Sequence, residues 1–116
     1  MSKNTYDIAN DMEKAIRESD EFKSLKQAFD AVMGDESTRR MFDDFRDTQL
    51  ELQQKQMQGL EITEEEVEKA RKVVEVVQQN PVISKLMEEE QRLNVLINDI
   101  STIITKPLEE LYGQDQ

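Results

Sequence analysis

The chain has 116 residues, no Cys, no His and a formal net charge of −11. Without Cys or His it can form no disulfide, no thiolate nucleophile, no Cys/His zinc or iron–sulfur site, and no imidazole-based general base. Charged residues reach 35% against an ordinary ~25%, aromatics are only 5%, and Gly and Pro number three and two, a balance that favours helices over strands.

The first helix is expected over about Tyr6–Glu18, where Ile8, Met12, Ala15 and Ile16 recur at spacings of three and four. Asn4 or Thr5 supplies its N-cap. Ser19-Asp20-Glu21 opens a second helix: Ser19 is a capping residue, and the two acids suit the positive end of the helix dipole. The break is soft enough that the two helices could be nearly continuous. Phe22, Leu25, Phe29 and Val32 form the apolar stripe of the second helix, and Gly34 is suited to end it in a left-handed conformation.

Asp35 caps a long third helix reaching about Gln58, with Met41, Phe42, Phe45 and Leu52 inward. Its second half is Gln-rich. Gln49 and Gln56 fall where the stripe calls for apolar residues, so this half either projects into solvent or pairs with a polar seam. Gly59-Leu60-Glu61-Ile62 is a loop. Thr63, three residues before Glu66, makes a capping box, and the fourth helix follows with Val67, Ala70, Val74 and Val77 inward.

Asn80-Pro81 restarts the chain as N-cap and first helical residue. The last long helix is expected from Pro81 to about Thr105. Its heptad register is Ile83, Leu86, Glu90, Leu93, Ile97, Ile100 and Ile104, with Val82, Leu96 and Ile103 as a third row. Pro107 disrupts it, and Leu108 and Leu111 continue on a short final turn. The tail 113–116 is expected to fray. These elements predict an all-α fold: an antiparallel bundle of about five helices, two of them long, in one domain over 1–116, oligomerising through helix packing.

Five groups are candidates for function. Glu64, Glu65 and Glu68 fit the EExxE pattern by which helical nucleoside triphosphate pyrophosphohydrolases hold magnesium, but the later ExxD is missing; a first turn rich in dipole-favoured Glu is the simpler reading. In Glu88-Glu89-Glu90, Glu90 falls on the apolar seam, where it could meet a cation or fix register. Asp43, Asp44 and Asp47 read as a solvated helix face. Arg39 and Arg40 oppose the dipole of the third helix, which leaves surface pairing or a partner's acidic patch. The row Leu93, Leu96, Ile97, Ile100, Ile103 and Ile104 is too broad for one neighbour. One part is expected to face inward and another a second subunit.

The halves 1–59 and 60–116 carry −4 and −7. With Lys and Arg flanked throughout by acids, direct nucleic-acid binding and binding to anionic membranes are not expected. No apolar run approaches a membrane span, and no signal-peptide pattern opens the chain, which reads as cytoplasmic.

Ser19-Asp20-Glu21-Phe22, then Phe29, Phe42 and Phe45, the Gln-rich helix ending at Gly59, and Asn80-Pro81-Val82-Ile83 leading to Leu86, Leu93, Leu96, Ile97 and Ile100 together resemble the YlbF/YmcA family of small helical proteins, most closely its YheA branch. The likeness spans about residues 5–105. It implies an oligomerising helical fold and adaptor work in competence, biofilm formation, sporulation or RNA processing through a ribonuclease. The iron–sulfur clusters of some relatives need Cys and do not transfer. The sequence therefore predicts a non-catalytic, homodimeric protein–protein adaptor without cofactor or metal; a magnesium-dependent pyrophosphohydrolase is the alternative.

Overall fold

The computed structural model describes residues 4–113. Six helices succeed one another: α1 (Thr5–Arg17), α2 (Asp20–Met33), α3 (Glu36–Met57), α4 (Glu64–Gln78), α5 (Pro81–Ile104) and α6 (Lys106–Gly113). The fold is all-α among the described residues, in line with a composition that favours helices. The expectation of a frayed end over 113–116 lies, past Gly113, outside the described residues.

Local chemistry sets the boundaries. Asn4 Oδ1 accepts from Asp7 N–H at 2.8 Å and starts α1. Ser19 separates α1 from α2. Its hydroxyl donates to Ile16 O at 2.6 Å and accepts from Phe22 N–H at 3.1 Å, so one side chain closes one helix and opens the next. Gly34 ends α2 without the expected left-handed turn: the left-handed glycine is Gly59, at φ 71°. There Gly59 N–H donates to Gln56 O and Leu60 N–H reaches back to Lys55 O, a Schellman closure of α3.

Thr63 and Glu66 make the expected capping box at α4, each side chain satisfying the other's backbone N–H at 3.1 Å. Asn80 Oδ1 accepts from Val82 and Ile83 N–H at 2.9 and 3.1 Å, with Pro81 as the first residue of α5. Pro107 has no N–H to give, and Thr105 stands between α5 and α6.

The chain divides into two compact units, whose boundaries fall inside α2 and α5. Unit 2, residues 26–87, holds the core: Ala28, Val32, Phe42, Phe45, Val77, Ile83 and Leu86 are buried. Within it α3 packs along α4. The inward stripe of α3 runs through Phe42 and Phe45 and on through the half-buried Thr48, Leu52 and Lys55. It therefore bypasses Gln49 and Gln56, which are exposed, and lies one position away from the register that the spacing predicts in this half. On α2, Ala28 takes the inward place and Phe29 stays 42% exposed, another shift of one residue around the helix.

Unit 1 comprises residues 1–25 and 88–116. Among its described residues, none of the apolar side chains is buried.

Candidate interaction surface

Among the described residues of unit 1, the buried one is a carboxylate. Glu89 is 2% exposed, and Arg92 Nη1 donates to both its oxygens, at 2.8 and 3.3 Å. The heptad spacing predicts Glu90 at this place on the seam. Glu90 is exposed, and the inward line of α5 runs Ile83, Leu86, Glu89 and then the half-buried Leu93, Leu96 and Ile100. Three-residue steps at 83–86–89 turn the line back around the helix by one position, since three residues fall short of a full turn of about 3.6.

Past Glu89 the line loses its cover. Leu93, Leu96 and Ile100 are half-buried, and Ile97, Ile103 and Ile104 are 40%, 58% and 65% exposed. Leu108, Leu111 and Tyr112 on α6 are more exposed still. All six residues expected at an interface thus lie on one continuous helix and are open to solvent in whole or part. The stretch between Arg92 and Lys106 carries one charge, Asp99.

Unit 1 has a second apolar feature that the sequence did not single out. Ala9, Met12 and Ile16 of α1 and Phe22 of α2 line an open groove of about 270 Å³, rimmed by Glu13 and Arg17. Those two rim residues are ion-paired at 2.7 Å. The three- and four-residue spacing of the α1 apolar residues is the signal that points to the groove.

The other candidates resolve into local pairing. Glu66 joins the capping box and binds Lys55 across the α3–α4 hairpin; those bonds hold its carboxyl down at about 2. Arg71 bridges Glu68 and Glu75, which lowers the Glu68 pKa and raises that of Arg71. Glu64, Glu65 and Glu68 therefore do not form a common ligand set, and among the described residues no cluster of three acids is placed to hold a metal ion. Asp44 and Asp47 line a shallow cleft with Thr48, Glu51, Lys69 and Val73. Arg40 pairs with Glu36 one turn before it, at 2.7 Å. Asp35, the cap of α3, accepts from the backbone N–H and hydroxyl of Thr38 at 3.0 and 2.6 Å. The hydroxyl bond above all, then the backbone bond, lowers the Asp35 pKa.

The family model described as "Control of competence regulator ComK, YlbF/YmcA" matches residues 5–109. The chain belongs to the YlbF/YmcA family. Within that family it falls in the YheA branch. It is 74% identical over 110 residues to a UPF0342 protein of Oceanobacillus iheyensis, covering 95% of this chain and 94% of that one. It is 58% identical over 113 residues to the UPF0342 protein YheA of Bacillus subtilis, covering 97% of each. Among solved structures, a DUF964 protein of Bacillus stearothermophilus superposes with a TM-score of 0.85 at 40% identity, covering 96% of this chain and 97% of that one. The structure of yheA from Bacillus subtilis gives 0.75 at 46% identity, covering 95% and 100%. The matched residues include the whole Leu93–Ile104 stripe of α5. No helix among the described residues is long and apolar enough to cross a membrane.

Proposed function

We propose that this chain is a non-catalytic adaptor that pairs with a second copy of itself through the Leu93–Ile104 stripe and offers its remaining helical surface to a regulatory partner protein. The observation that carries the reading is the exposure of that stripe in a unit whose described apolar side chains are none of them buried. Covering these Leu and Ile side chains with a second chain removes apolar surface from water, which is the main favourable term in protein association.

Charge supports a second copy as occupant. Each copy brings −7 in unit 1, from six basic and thirteen acidic residues, so the two repel unless their seam is nearly neutral. The stripe between Arg92 and Lys106 is such a seam. The regulatory half of the reading rests on the competence-regulator description of the family.

Hydrogen exchange over a dilution series tests it. Amides of 93–112 lose protection on dilution while those of α3 and α4 hold theirs. Equal, concentration-independent protection throughout would count against self-pairing.

A further inference from the structure

We infer that the self-pairing proposed above is antiparallel, with the two copies of the α5–α6 segment crossing near residue 102. The inference rests on the self-association reading and adds its geometry. Two independent observations lead to the same register.

The first is what remains to be covered. Ile83, Leu86 and Glu89 are buried in the subunit, so the face before Leu93 is already taken. The open apolar line starts at Leu93 and continues through Leu96, Ile100 and Ile104 to Leu108 and Leu111. The helical register carries across Thr105: its N–H donates to Ser101 O at 3.1 Å, and Glu109 N–H donates to Thr105 O at 3.0 Å. A partner helix that covers this whole line and runs the other way sets Leu93 against Leu111, Leu96 against Leu108, and Ile100 against Ile104. All three pairs are centred on residue 102. An antiparallel crossing midway between residues 98 and 99 would set Leu108 against Glu89 and Leu111 against Leu86, which the subunit already covers.

The second is charge. At about 100° per residue, Arg92, Asp99, Lys106 and Glu110 lie along one flank of the stripe. Their signs alternate: plus, minus, plus, minus. In an antiparallel pair the same flank of both helices meets. A crossing near 102 then brings Arg92 within about two residues of Glu110 and Asp99 within about one residue of Lys106, offsets that these side chains can span, each twice by symmetry. A crossing near 99 would set Asp99 against itself and Arg92 against Lys106. In a parallel pair this flank would meet Glu90, Asn94 and Ser101, which offer no cation. Arg92 already holds Glu89, yet its side chain is 49% exposed, and a guanidinium has five donors, enough for a second carboxylate. The alternating flank is self-complementary in the register that the open apolar line selects.

Because the chain has no Cys, single cysteines report the register in the full-length protein. Light scattering first establishes the wild-type mass. Ile100→Cys and Ile104→Cys chains are then mixed in equal amounts and oxidised, with Leu96→Cys and Leu108→Cys as a second pair. The antiparallel register gives the mixed disulfides. Ile100→Cys alone links little, because the two copies of residue 100 stand about 6 Å apart along the axis before any lateral separation. Asp99→Lys weakens dimerisation about tenfold or more, and adding Lys106→Asp restores it to within about threefold. A wild-type dimer in which Ile100→Cys links to itself is either parallel or antiparallel about residue 100, and overturns this inference alone. A dimer that forms none of these links has its seam elsewhere and overturns it equally. A wild-type monomer at all concentrations overturns the self-association reading as well.

Discussion

The Lys55 ammonium binds the Glu66 carboxylate, joining the last turn of α3 to the first turn of α4. Glu66 uses its other oxygen to accept from the backbone N–H and hydroxyl of Thr63. One carboxylate thus both caps α4 and closes the hairpin. The half-buried Lys55 occupies an inward position that an apolar residue would otherwise fill.

This arrangement sets a pH dependence. Lys55 first, and Thr63 second, hold Glu66 at about 2 in the folded chain, below the ordinary 4.5. A carboxyl with a depressed folded pKa contributes stability that is complete above its unfolded value. That contribution is lost as pH falls through the folded value. Denaturant titrations should therefore show stability falling between about pH 4.5 and pH 2. Glu66→Gln should be less stable at pH 7 and show a smaller loss over that window. An unchanged profile in Glu66→Gln would mean that the pair contributes nothing to folding.

Gly59 is the left-handed residue of the α3 closure. A Cβ there meets open space, so the cost of Gly59→Ala is conformational. It should lower stability by ~1–2 kcal/mol. Gly113→Ala, also with open space around it, is the control and should be neutral. Equal effects would contradict the assignment.

Ile83 follows the Asn80-Pro81 start of α5 and is fully buried. Ile83→Ala should cost ~2–5 kcal/mol by removing packed methyls and leaving a cavity. Ile103→Ala, at an exposed position, should leave unfolding at low protein concentration nearly unchanged. Calorimetry on both variants distinguishes core from surface, and comparable losses would reverse the division drawn along α5.

Magnesium provides a test of the Glu64, Glu65 and Glu68 pattern. Glu68 is held by Arg71 and the neighbouring Glu66 by Lys55 and Thr63. Millimolar magnesium should leave the melting temperature unchanged, and nucleoside triphosphates should turn over no faster with wild type than with Glu65→Ala. A magnesium-dependent rise in melting temperature that Glu65→Ala abolishes would contradict this.

Much of the fold was legible because caps are local. Asn4, Ser19, Asp35, Thr63 and Asn80 start helices where their side chains reach a backbone N–H two or three residues on, and nothing distant decides that. Which face of a helix turns inward was less legible. Ala28 in place of Phe29, and Glu89 in place of Glu90, each differ from the expected stripe by one residue. A step of three and a step of four diverge by about 100° around the axis, and only the neighbouring elements choose between them. The six stripe residues were found from spacing. Their exposure depends on what the rest of the chain leaves uncovered, and spacing does not carry that.

Size exclusion with light scattering on wild type and Ile104→Glu, across a concentration series, tests self-association through the stripe most directly. Ile104 is 65% exposed, so a carboxylate there should not disturb the subunit's own packing. Wild type should elute at twice the chain mass of 13.6 kDa, and Ile104→Glu as a folded monomer with unchanged helical circular dichroism. A wild-type monomer at every concentration, or an Ile104→Glu dimer as tight as wild type, would contradict it.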